Sequence, residues 1–188
     1  MNKKQIIVIS APSCSGKNSV YSEIHTKYPY IHQSVSDTTR KIRTGEKVGI
    51  DYNYIDENTF LENIKNGVYV EYNYYDEHYY GTPLSQIKEL AERDKPFVLI
   101  IDVNGALKIK ELFGDKVIMI FILPPSIEEL KRRMIERGEN TPEEIAKRIK
   151  TAKSEIGQSE KYDFRIINDE LSKTSQQIIK IIEKEILC

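Results

Sequence analysis

Cysteine is scarce in this chain, with Cys14 and Cys188 the two among 188 residues. Cys14 follows the first apolar run and Cys188 ends the chain, so a disulfide framework is not expected. Histidine is equally thin. His25, His32 and His78 are scattered, and no four Cys or His stand at metal-binding spacing. An excess of one charge is lacking too: 28 basic against 29 acidic residues give a formal net charge of −1. That balance argues against a nucleic-acid-coating protein or a polybasic membrane binder, and leaves room for a local cationic pocket. No apolar run approaches the length of a membrane span. The run at 5–10 is too short for a signal h-region and has no small-residue cleavage pattern after it. The composition therefore leads us to expect a cytoplasmic protein without membrane or nucleic-acid partners.

What is present alternates. A chain of this length suits one compact α/β domain with one or two small insertions. It can bury a core without metal or disulfide staples. Continuous apolar runs at 5–10, 97–102, 117–123 and, shorter, 165–168 read as parallel strands covered on both faces. Helical patterns lie at 17–27, 84–93, 105–113, 126–137, 142–156 and 171–186. Ser126 with Glu129, and Thr141 with Glu144, read as capping boxes. Pro142 stands at a first helical position and Thr82–Pro83 repeats the device. The order predicts a parallel sheet between helices. Residues 32–81 break the rhythm with an antiparallel pattern and one helix near 57–66. Eight of the twelve tyrosines fall there, at 52, 54, 69, 72, 74, 75, 79 and 80. They suit either a small aromatic-rich sheet or, beside Arg40 and Arg43, a phosphate-binding wall.

Directly after the first strand and before the first helix stands Ala11-Pro12-Ser13-Cys14-Ser15-Gly16-Lys17-Asn18-Ser19. That is the context of a phosphate-binding loop. Backbone N–H groups at a helix N-terminus converge on one spot, where the helix dipole adds positive potential. Gly16 would let the backbone approach phosphates, and Lys17 would place a charge on the β- and γ-phosphates. Ala11 replaces the first glycine of the usual pattern, and Asn18 replaces the metal-ligating hydroxyl.

Further segments follow at fixed order: Ser34-Val35-Ser36-Asp37-Thr38-Thr39-Arg40, Arg43, Gly45-Glu46, Gly49, Asp51-Tyr52, Tyr79-Tyr80-Gly81-Thr82, Asp102 and Gly105, residues 121–126, and Ile167-Asn168-Asp169. With the phosphate loop they resemble the guanylate kinase family over essentially the whole chain. The resemblance implies a P-loop NTPase-type three-layer α/β sandwich with a parallel core sheet, a mixed α+β GMP-binding insertion and a small helical lid. The implied divisions are a core over 1–31, 83–125 and 157–188, the GMP-binding subdomain over 32–82, and the lid over 126–156. It implies ATP as phosphoryl donor with Mg2+, GMP as acceptor, a role in purine metabolism, and a monomer or homodimer.

By the same resemblance, residues 11–19 and Asn168 would bind ATP. Ser36, Glu71 and Thr82 would read the guanine edge. A carboxylate accepts from N1–H and the 2-amino group of guanine, and adenine offers neither donor. Arg40, Arg43, Tyr52 and Tyr80 would hold the GMP phosphate. Asp102 would serve acceptor and metal, with Ser19 as the second metal-side group. Lys17, Arg40, Arg133, Arg137 and Arg148 would stabilise charge during transfer. Arg133 and Arg137 lie four apart on one helix face, while Lys131 and Arg132 suit a solvated face.

Cys14 stands where the family has glycine, Ile100 where it has the first aspartate of a D-x-D, and Asn104 where glutamine is common. A positive φ at Cys14 would strain the loop. Two alternatives stay open: a guanylate-kinase-like binding module with weak or no catalysis, and a kinase with a shifted acceptor such as dGMP.

Overall fold

A computed structural model describes residues 4–75, 77–138 and 141–187. Cys188 lies outside them. Five strands form an all-parallel sheet: β1 (Ile6–Ser10), β2 (His32–Gln33), β7 (Phe97–Ile100), β8 (Val117–Leu123) and β9 (Phe164–Ile167), in the order β2-β7-β1-β8-β9. The three central strands, β7, β1 and β8, are apolar because both faces are covered, while β2 is a short polar edge. Side chains alternate across the sheet. Ile7 and Ile9 of β1 pack with Val20 and Ile24 of α1 (Lys17–Lys27) and with Ile178 and Ile182 of α7 (Leu171–Ile182). Ile6 and Val8 pack on the opposite face with Ile87 of α3 (Leu84–Glu92) and Ala106 and Ile109 of α4 (Val103–Phe113). The result is the expected three-layer sandwich. The C-terminal helix departs from its predicted end, since α7 gives way at Glu183 to a wider π-type turn through Leu187.

A second sheet carries β3 (Asp37–Thr38), β4 (Asn53–Tyr54), β5 (Tyr69–Tyr75) and β6 (His78–Pro83) in the order β4-β3-β6-β5, beside α2 (Glu57–Lys65). It is mixed rather than wholly antiparallel, because β3 and β4 run parallel. Residues 32 and 33, at the edge of the predicted insertion, pair instead with β7 in the core sheet. Much of the tyrosine excess is structural here. Tyr69 and Tyr79 stack on buried Phe60 at ring-centroid distances of 4.5 and 5.2 Å.

Helices α5 (Ile127–Arg137) and α6 (Pro142–Gly157) form the third unit, joined by the small cluster Leu130, Met134, Ile145 and Ala152. Thr141 and Glu144 make the full reciprocal capping box, and Pro142 occupies the first turn as predicted. At Ser126 half of the box forms. Its hydroxyl accepts from the Glu129 N–H at 3.0 Å, but the Glu129 carboxylate turns to Arg132 and Arg133. Ion pairing outcompetes the return bond to the backbone. At Thr82–Pro83 the expected device is absent: Pro83 is the cap itself, without a side-chain bond, and Thr82 belongs to β6. Its hydroxyl has a different partner, described below.

Candidate active site

The three units converge on a cleft of about 530 Å3. The loop after β1 forms one wall. The backbone turns left-handed twice there, at Cys14 (φ 65°) and Gly16 (φ 89°). No side chain caps the first turn of α1, so its N–H groups face the cleft end of the loop. At Gly16 a side chain is excluded twice over, because a Cβ would also stand 2.5 Å from the Asn168 amide. Cys14 adopts a positive φ with a side chain in place, the condition under which strain was expected, and the thiol packs on the lid cluster. Lys17 folds back on its own loop, donating to the Ala11 carbonyl and, at 3.3 Å, to that of Pro12. Burial pushes its pKa down, against the opposing charges of Glu155, Cys14 and Asp102.

A second wall is tied by charge. Arg40, buried to 7% exposure, donates through Nη1 and Nη2 to Glu46 at 3.0 and 2.8 Å, and through Nη1 to the Lys41 carbonyl at 2.7 Å. Its guanidinium lies 5.5 and 5.8 Å from the Tyr52 and Tyr54 ring centres. Glu46 also accepts from the Arg43 N–H and the Tyr54 hydroxyl, both at 2.8 Å. Burial works against its charge, but these donors outweigh it and bring the carboxyl to about 2. Tyr52 is pushed up to about 12, chiefly by burial. An end-on fork to Glu46 leaves the Nε–H edge of Arg40 over, and that buried Nε has no hydrogen-bond partner.

Deeper in, Thr82 donates to Glu71 and lies 3.2 Å from the Ser36 hydroxyl. Burial raises the Glu71 carboxyl to about 7, with Asp102 adding to the shift and the Thr82 hydroxyl opposing it. Gly105 of α4 makes room for it, since a Cβ there would meet Glu71 Oε2 at 2.6 Å. Asp102 caps α4, accepting from the Gly105 N–H at 2.9 Å, and takes a second bond from Asn73 Nδ2 at 2.8 Å. It lies two residues beyond the end of β7, not within the strand.

From the lid, Arg148 donates to Ser13 Oγ at 3.2 Å, Arg137 approaches Cys14 Sγ at 4.0 Å, and Arg133 donates to the Asn168 carbonyl at 3.3 Å. All three face the cleft, whereas Arg132 is 56% exposed and pairs with Glu129 and Glu136. Lining the cleft are Ala11, Ser13, Cys14, Ser15, Gly16, Lys17, Asn18 and Ser19, together with Ser36, Arg40, Arg43, Tyr52, Glu71, Tyr80 and Asp102. Pro12, Thr82 and Asn168 stand behind it. Thr82 is fully buried and acts on Glu71. Asn168 braces the loop through a 2.8 Å bond from its amide to the Ser15 carbonyl.

Sequence reasoning gave no role to Glu46, Asn73 or Glu155. Glu46 carried a signal, because it closes the arginine block. Asn73 carried one in its strand alternation with Glu71 (i, i+2), and Glu155 in its place seven residues after Arg148 on one helix face.

The family model described as guanylate kinase matches residues 3–185. The guanylate kinase of Clostridium perfringens strain SM101 is 40% identical over 184 residues, 98% of this chain and 85% of that one. That of Lactobacillus acidophilus is 42% identical over 186 residues, covering 98% and 90%. The crystal structure of guanylate kinase from Anaplasma phagocytophilum superposes with a TM-score of 0.79 at 33% identity, over 100% of this chain and 89% of that one. The match runs along nearly the full length in sequence and in fold, and the chain belongs to the guanylate kinase family.

Proposed function

We propose that the chain transfers the γ-phosphoryl group of ATP to GMP, giving ADP and GDP, as a cytoplasmic enzyme of purine metabolism. The observation that carries this is the single cleft shared by Lys17, Arg40, Glu71 and Arg148. Donor and acceptor phosphates can meet there between cations from three units. The core (1–31, 83–125, 157–188) holds the donor, residues 32–82 the acceptor, and residues 126–156 close over both.

Glu71 accepts from guanine N1–H and the 2-amino group, held by Thr82, while Ser36 serves the remaining edge. Arg40 offers its Nε–H to the acceptor phosphate with Arg43, Tyr52 and Tyr80. Lys17 exchanges two loop carbonyls for the β- and γ-phosphates. Arg133, Arg137 and Arg148 neutralise charge that spreads over the transferring group. Lid closure excludes water from it.

The donor set fits a magnesium ion that keeps most of its own water. Among the described residues no three His, Cys, Asp or Glu cluster to cage a bare metal. Asp102 and Ser19 offer oxygen on the cleft wall. When bound, Mg2+ offsets charge on the β- and γ-oxygens.

A coupled ADP-release assay with ATP, Mg2+ and GMP, dGMP, AMP, CMP or UMP tests the proposal. Turnover with GMP far above AMP, CMP and UMP is expected. GMP binding without turnover would overturn it in favour of a binding module, and a dGMP preference would mark a shifted acceptor.

A further inference from the structure

Glu155 has no part in the roles above, yet it lines the same cleft. It lies on α6 two turns after Arg148, so both side chains look into the cleft. The lid thus lowers one cation and one anion together. With Asp102 and Tyr75, Glu155 also borders a second cavity of about 130 Å3, forming the partition between the two spaces. Its Oε2 is buried and has no hydrogen-bond partner. Such an oxygen is costly unless a ligand supplies the donor.

The chemistry of that ligand is constrained. A triphosphate presents acceptors and negative charge, so it brings Glu155 nothing and is repelled. Lys17, on which Glu155 is the strongest opposite charge, already spends two of its three N–H donors on Ala11 and Pro12. A hydrated divalent cation presents the converse, since its coordinated waters point O–H donors outward. We infer that Glu155 makes binding of the phosphoryl donor conditional on the divalent cation. It disfavours the bare triphosphate and accepts from the cation's water when the two enter together. Glu155 is thus a positioning residue, and the chain has a second carboxylate on the donor side although Ile100 occupies the place of the family aspartate. This inference rests on the donor-site assignment proposed above.

The test is calorimetric and needs no turnover. The Kd of a non-hydrolysable ATP analogue is measured with Mg2+ and with EDTA, for wild type, Glu155→Gln, Glu155→Asp and Glu155→Ala. The pH is set well above the value of about 7 to which burial raises the Glu155 carboxyl. In Glu155→Gln the EDTA Kd falls and the Mg2+ Kd rises, so the ratio between them shrinks roughly tenfold. Glu155→Ala shows the same loss should the glutamine variant fold poorly. Glu155→Asp keeps most of the ratio. A merely structural role would weaken both affinities together, and an unchanged ratio in Gln and Ala variants that still bind overturns the inference. Wild-type protein that binds the analogue under neither condition overturns the donor-site assignment along with it.

Discussion

Glu46, at the proposed acceptor end of the cleft, accepts four hydrogen bonds from three residues, whereas Ser15 Oγ and Glu155 Oε2, at the proposed donor end, are buried and accept none. The proposed acceptor wall is tied together by its own side chains. Arg40 is fixed between Glu46 and two tyrosine rings, and Glu71 between Thr82 and Gly105. On the proposed donor wall the lysine bonds its own loop, and a cysteine bears a left-handed backbone. The positions that the sequence resemblance marks as departures, Cys14, Asn18 and Ile100, all line the cleft. A wall held by backbone N–H groups tolerates side-chain change more readily than one in which each side chain orients the next.

That contrast predicts different failures at the two ends. The largest belongs to Lys17. Replacing it with Met should lower kcat by 10²- to 10³-fold, about what a removed transition-state donor costs, with the KM for GMP nearly unchanged. Steady-state kinetics with GMP varied at saturating ATP would show it. A rise in the GMP KM of similar size would mean that the two walls are coupled, and the contrast would fail.

Glu46→Ala should do the reverse. It leaves Arg40 buried without its counter-ion, which costs about 3 kcal/mol. Urea unfolding should register most of that loss. The KM for GMP should rise more than kcat falls, because the fork is no longer aimed. Unaltered stability would show that Tyr52 and Tyr54 hold the guanidinium unaided.

Next in size is Glu71→Gln, which removes a charged acceptor from the guanine site. A loss of about 1.5–3 kcal/mol in kcat/KM is expected, roughly 10- to 150-fold. The pH dependence sharpens it. Guanine needs the carboxylate, so GMP binding weakens as pH falls below about 7. Stability runs the other way. The folded carboxyl titrates near 7, against an ordinary 4.5. The native state therefore binds more protons than the unfolded state between those values, and stability falls as pH rises through that window. Glu155 behaves alike, so Glu71→Gln should remove part of the slope of urea midpoint against pH and leave the share of Glu155. A slope unaffected by the substitution would mean that Glu71 is ionised throughout.

The sandwich was legible because its code is local. Apolar runs marked four of the five core strands within about two residues. The fifth, His32–Gln33, is too short to carry a period and exists because β7 offers an open edge. Motif residues mark chemistry, and most of them meet at the cleft. Thr82, Pro83 and Asn168 sit where local rules do not reach. A threonine before a proline signals a helix cap, yet the Thr82 hydroxyl finds Glu71 eleven residues back across a hairpin. Glu155 meets Lys17 only because the lid folds over a loop 138 residues earlier in the chain. Such pairings are made by the tertiary fold.

The smallest effect tests the donor loop directly, through the residue type that φ 65° favours at position 14. Comparing wild type with glycine alone would mix strain relief with loss of the thiol's contact with the lid cluster. Cys14→Ala and Cys14→Gly both lose that contact, and they differ in the Cβ alone. At an ordinary helix or strand position alanine is the more stable of the two, because glycine loses more backbone entropy on folding. In the left-handed region the Cβ crowds the following carbonyl oxygen, at a cost of 1–2 kcal/mol, and the order inverts. The glycine variant should therefore exceed the alanine variant by about 1 kcal/mol in urea unfolding, with matched GMP affinity in both. Alanine equal to glycine would show that the loop relaxes to negative φ once the sulfur is gone. The strain would then be imposed by the packing of Cys14 beneath the lid, and the donor wall would be shaped by its side chains after all.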